Sequence, residues 1–202
     1  MGKQLYKTKL LRSQILYTVL SRGISTALNF FIALLIARHS GPMVKGDVTL
    51  LITTLSFFLF ISNIMGGQAL VYLIPRNKIE LLAIPAYVWS LIVSGLGFLL
   101  LKYTNLLQTN HVPSLAVLSL LSSFIQIHQT ILMAKGKIST ANLISVAALL
   151  LQVSGVLVCF YFIGISDAYA YIYASLLAYL IAAVFSFVMV RQWITVGSFV
   201  QN

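Results

Sequence analysis

Hydrophobic runs close to the thickness of a bilayer core recur from one end of this chain to the other, and that recurrence constrains the fold more than any other feature. A helix needs about 20 apolar residues to cross roughly 30 Å of hydrocarbon. Six stretches reach that length, at residues 13–37, 47–74, 81–101, 113–134, 138–163 and 167–190. They are continuous, whereas a transmembrane barrel alternates apolar and polar residues in ten-residue segments. Helices therefore remain as the way to satisfy backbone groups inside lipid. Composition agrees, with 60% hydrophobic and 8% charged residues where a soluble domain carries about a quarter charged. The expectation is an all-α integral membrane protein, one six-helix bundle over residues 1–202.

The punctuation between the runs fits this division. Arg38-His39-Ser40-Gly41-Pro42 ends the first segment, and Pro75-Arg76-Asn77-Lys78 ends the second, since charge, glycine and proline together stop helices. Gly66-Gly67 interrupts the second segment, where it predicts a bend or a close approach by another backbone or a ligand. Pro85 falls near the start of the third segment and Pro113 opens the fourth, placements where a missing N–H costs little. Ser166 or Asp167 is available to cap the sixth. Met1–Arg12 resembles the basic flank of a signal peptide, but the next segment is long and contains Arg22, which predicts an uncleaved first helix. Short connections suit antiparallel neighbours without a soluble domain.

The formal charge of +10 does not point to nucleic acid, because the basic residues flank hydrophobic runs instead of forming a basic face. Placed on alternate sides, Lys3, Lys7, Lys9, Arg12, Arg76, Lys78, Lys135, Lys137 and Arg191 oppose Arg38, Lys45 and Lys102, nine against three. The positive-inside rule then places both termini in the cytoplasm. Cys159 is the only cysteine, so neither a disulfide nor a cysteine metal site forms within one chain. No phosphate loop, metal cluster or nucleophile with a placed base is present. The expectation is a non-enzyme without a cofactor.

Polar residues at helical spacing mark several segments. Thr18, Arg22, Ser25 or Thr26, and Asn29 share a face of the first segment. Thr49, Thr53, Ser56 and Asn63 do so on the second, Ser119, Ser122, Gln126 and Gln129 on the fourth, and Asn142, Ser145 and Gln152 on the fifth. Such stripes either bond helix to helix or line a hydrated cavity. The cavity candidates are Arg22, Thr26, Asn29, Asn63, Gln126, Gln129 and Asn142. Arg22 lies about 12 Å into its helix if the span starts near Gln14; it either snorkels to the head groups or supplies forked donors to an anion. Asp47, Glu80 and Asp167 all fall at segment ends, which leaves proton or sodium coupling without a deep acid. His128 either relays a proton or holds the bundle together. Tyr169, Tyr171 and Tyr173 read as an interfacial belt, with sugar stacking as the alternative.

At Ala37-Arg38-His39-Ser40-Gly41-Pro42-Met43-Val44-Lys45-Gly46 the chain is similar to the A-R-x-x-G-P-x-x-x-G turn of polysaccharide-biosynthesis (O-antigen type) flippases, within the multidrug, oligosaccharidyl-lipid and polysaccharide exporter superfamily. Asn63-Ile64-Met65-Gly66-Gly67-Gln68-Ala69 resembles the glycine-containing end of that family's second helix. The resemblance covers most of the chain and implies the amino-terminal half of a pair of six-helix bundles. It further implies alternating access in the bacterial inner membrane, an undecaprenyl-pyrophosphate oligosaccharide as substrate, and a second bundle, on the same or a separate chain, as partner beside membrane lipid. Arg22 is then the candidate cavity cation. The alternatives are a drug exporter of the same superfamily and a truncated, non-transporting membrane subunit.

Overall fold

The computed structural model describes residues 2–77, 79–104 and 109–196, and these are helical apart from short turns. α1 (Gly2–Gly66) is followed by α2 (Gln68–Leu73) and a 3-10 turn at Ile74–Arg76. α3 (Ile79–Thr104), α4 (Val112–Ala134), α5 (Ile138–Val158) and α6 (Ala168–Val196) complete the bundle. Five helices among the described residues are long and apolar enough to cross a membrane, beginning with Ile15–Arg76.

The first two expected segments are joined. α1 is broken at a single residue, Gly41, with φ 82° and ψ 178°, a backbone state that costs glycine little and strains any side chain. Pro42 follows, where the missing N–H is no loss because helical bonding restarts there. The stretch from Arg38 to Gly46, expected as a connection, is otherwise helical. Helical backbone satisfies itself in water as well as in lipid, so a helix is free to outlast its apolar run.

Side-chain contacts give each element its direction. Thr18 bonds Asn142 and His39 stacks on Phe160, so the first arm of α1 (2–40) runs parallel to α5. Trp89 Nε1 donates to the Ile61 carbonyl at 3.0 Å, and Gly97 faces the Phe58 ring, so the second arm (42–66) runs against α3. Ser94 with Ser119 and Tyr87 with Phe124 set α3 against α4. His111 with Tyr169 and His128 with Ser186 set α4 alongside α6, and Gln152 with Ser175 joins α5 to α6. α5 and α6 meet antiparallel, because Gly155 lies against Ala174. The two arms of α1 therefore run in opposite directions, and the chain doubles back at Gly41.

Two apolar cores are stacked along this axis. One gathers Ile36, Val48, Leu115, Val156 and Ile172, the other Ile79, Ile131, Ala141, Ile144 and Val190. The turns between helices are built locally. Gly136 at φ +75° closes α4 with Lys137 N donating to the Leu132 carbonyl and Gly136 N to the Met133 carbonyl, both at 2.9 Å, the paired bonds of a Schellman ending. Asp167 Oδ1 accepts the Tyr169 N–H at 3.1 Å and caps α6. The fifth segment ends in a π-helical turn, Cys159–Ile163, and a left-handed Gly164.

Close approach of α5 and α6 depends on Gly155, where a Cβ would stand 2.9 Å from the Ala174 Cβ. Gly155→Leu is expected to lower stability by about 1–3 kcal/mol through overpacking, read as a lower melting temperature in detergent. Gly95 has open space around it, so Gly95→Ala is expected to hold or raise stability, by up to about 1 kcal/mol.

Candidate functional site

A helix crossing a membrane without interruption offers no backbone to a ligand, so the break after Gly66 is where a site is cheapest to build. Gly67 leaves the helical region at φ −93° and ψ −137°. A Cβ on Gly67 would stand 2.6 Å from the Asn63 carbonyl oxygen, and one on Gly66 would stand 3.2 Å from Ile127 of α4. The glycine pair thus lets the second arm of α1 bend while lying hard against α4. Beside this bend is an open cavity of about 530 Å³.

Asn63, Gln126, Gln129 and Thr130 give the cavity its polar wall, beside Gly67; Ile64, Ala69, Val71 and Met133 give it an apolar one. Gln126, Gln129, Thr130 and Met133 share one face because they are spaced by three or four residues along α4. Gln129 Nε2 donates to Ser145 Oγ of α5 at 2.9 Å, and Ser145 Oγ donates in turn to the Ala141 carbonyl. Thr130 Oγ1 donates to the Gln126 carbonyl at 2.8 Å. Gln126 Oε1 is buried and has no hydrogen-bond partner among the described residues, which costs about 1–3 kcal/mol in an unrelieved interior. Among the described residues no charged side chain and no aromatic ring lines the cavity.

Of the residues expected to share a cavity, the structure brings together Asn63, Gln126 and Gln129. Asn142 lines a second, mainly apolar cavity of about 450 Å³ between the first arm and α5, beside Tyr17, Leu20, Ile24 and Leu143. Asn142 Nδ2 donates to Thr18 Oγ1 at 3.1 Å, a bond that ties those two elements. Arg22, Thr26 and Asn29 are exposed on the first arm and line neither cavity. At 100° per residue Arg22 lies roughly 150° around the helix from the centre of the face formed by Tyr17, Leu20, Ser21 and Ile24, so it points away from the apolar cavity.

The polar stripes divide into two kinds. Thr26, Asn29, Thr49, Thr53 and Ser56 are exposed and bond carbonyls four residues back in their own helix, which satisfies them without a neighbour. Ser119, Asn142, Ser145 and Gln152 bond across helices instead. His128 belongs with these: Ser186 Oγ donates to the Ala183 carbonyl, so it accepts from His128 Nδ1 at 2.7 Å and joins α4 to α6. Tyr171 is buried and Tyr173 exposed, stacked on Tyr169 at 5.8 Å. Thr130 and Met133 escaped the sequence reading; the available signal was their spacing from Gln126 and Gln129.

Among the described residues no group of three or more His, Cys, Asp or Glu side chains is placed to hold a metal ion. Comparison with protein-family models, curated proteins and solved structures finds no match to this chain.

With Cys159 replaced by alanine, cysteines introduced at 63 and 129 are expected to react with a membrane-impermeant maleimide, whereas one at 152, buried between α5 and α6, is expected to stay unlabelled until denaturation. Gly67→Ala is expected to slow labelling at 63, because the new Cβ displaces the Asn63 carbonyl.

Proposed function

We propose that this chain is one half of a flippase that carries lipid-linked oligosaccharide, an undecaprenyl-pyrophosphate-linked surface-polysaccharide unit, across the bacterial inner membrane by alternating access. On this reading the chain crosses the membrane six times, the doubling back at Gly41 supplying the extra pass, and both termini are cytoplasmic. The observation that carries it is an uncharged polar cavity among apolar helices, at the end where Arg76, Lys135, Lys137 and Arg191 gather. Apolar helices that needed only to adhere could use small residues and have no use for such a space.

Arg22 supports the reading from a different side. It stands exposed on the face of the first arm that also carries Thr26 and Asn29, turned from the apolar cavity. In hydrocarbon an unpaired guanidinium costs about 2.5 kcal/mol or more, so that face belongs against water, an anionic ligand or a second bundle. Its forked donors suit pyrophosphate, while the lipid tail stays in the bilayer. A drug exporter of the same superfamily is less well supported, because no carboxylate among the described residues lines the cavity to attract a cation.

In a bacterium lacking its own flippase, Arg22→Ala is expected to lower restored polysaccharide export by roughly tenfold or more, the equivalent of a lost charged hydrogen bond, with membrane insertion unchanged. Arg22→Lys keeps the charge and loses the fork, so partial export is expected. Undiminished export by Arg22→Ala would remove this residue from transport.

A further inference from the structure

We propose that the cavity between the second arm of α1 and α4 binds an uncharged, hydroxyl-rich saccharide portion of the head group, and that the anionic phosphates are held elsewhere. The substrate context rests on the flippase reading; the preference itself rests on the hydrogen-bonding state of the cavity wall.

Two of the wall's donors are already committed inside the protein. Gln129 Nε2 is held by Ser145, and the Thr130 hydroxyl proton is held by the Gln126 carbonyl. What Gln129 and Thr130 offer a ligand is therefore oxygen lone pairs and the second N–H of the Gln129 amide. Gln126 adds the two donors of its amide nitrogen and an amide oxygen buried without a partner among the described residues. The terminal torsion of a glutamine has broad wells, so rotation brings that oxygen to the cavity when a donor arrives there. Asn63 is exposed at the mouth and offers both roles.

Such a wall selects against an anion. Phosphate and carboxylate bring acceptors only, and among the described residues no lysine, arginine or histidine lines the cavity to offset them. An organic cation meets neither a carboxylate nor an aromatic face. A saccharide hydroxyl donates and accepts at once, and an acetamido group adds an N–H. The volume of about 530 Å³ lies within the usual range for small-ligand pockets, about 300–1,000 Å³. The bend at Gly66-Gly67 provides the room, and the apolar wall of Ala69, Val71 and Met133 is suited to the C–H face of a sugar ring.

The test uses the full chain in lipid nanodiscs and saturation-transfer NMR with maltotriose, a matched trisaccharide ending in a uronic acid, inorganic pyrophosphate and tetraethylammonium. Maltotriose is expected to bind most tightly. Gln126→Leu and Thr130→Val are each expected to weaken it by about threefold to tenfold, one lost hydrogen bond. Gln126→Glu, which keeps an acceptor, is expected to retain maltotriose and reject the uronate. Melting temperatures identify any variant that fails to fold, and Gln126→Glu with the ranking of ligands on the unaltered chain then decides the matter. Tighter binding of the uronate, pyrophosphate or tetraethylammonium, or maltotriose binding indifferent to both Gln126→Leu and Thr130→Val, overturns the proposal. A chain that exports polysaccharide yet prefers the uronate keeps the flippase reading and loses this one. A chain that binds maltotriose by way of Gln126 yet exports nothing does the reverse.

Discussion

Hydrocarbon offers a backbone N–H or carbonyl no partner, and each group left unpaired there costs several kcal/mol. For a chain with apolar runs this dense, that cost leaves helices as the local structure and governs the polar side chains as well. Each hydroxyl or amide has to find a bond within its own helix, across to a neighbour, or in a hydrated space. α1 takes the first course with Thr26, Asn29, Thr49, Thr53 and Ser56. The interior takes the second, with Gln152 on Ser175, His128 on Ser186 and Ser119 on Ser94. The cavity beside Gly67 is one place where the third is called for, since Gln126 Oε1, like Ser62 Oγ and Ser122 Oγ, has neither kind of partner among the described residues.

Apolar attraction between helices is weak when the solvent is itself apolar, so close packing has to supply what hydrophobic burial supplies in water. Gly155 on Ala174, Gly97 on Phe58 and Gly66 on Ile127 are such approaches. They bring α5 to α6, the second arm of α1 to α3, and the same arm to α4. Beside the last the backbone leaves helical geometry at Gly67, so the pair of small residues accompanies both a close approach and the opening of the cavity. A bundle held this way combines tightly packed cores with a gap at one end.

The separation of Arg22 from the Asn63, Gln126 and Gln129 cavity matters for the chemistry. A pyrophosphate-linked saccharide has an anionic part that wants fixed donors and a neutral part that wants mixed hydrogen bonding. On the proposed flippase reading, an exposed guanidinium on one face and a wall of amides and a hydroxyl on another answer those needs separately. Putting both into one chamber would pair a cation with amide oxygens and leave the sugar hydroxyls to compete with it.

The apolar runs made the helical class and the positions of most segments legible in the amino-acid sequence, because span length and chain termination are local properties. The cap of α6 was legible for the same reason as a choice between Ser166 and Asp167, and the structure takes Asp167. Helical periodicity also placed Gln126 and Gln129 on one face, yet periodicity names a face and not its partner. Only the tertiary structure decided that Gln129 reaches Ser145, that Asn142 turns to Thr18 and away from the cavity, and that His128 bonds α6. It also decided that a single glycine, not a loop, joins the two arms of α1. Such outcomes depend on which helices lie side by side, and an environment uniformly apolar along every segment leaves no trace of that choice in the sequence.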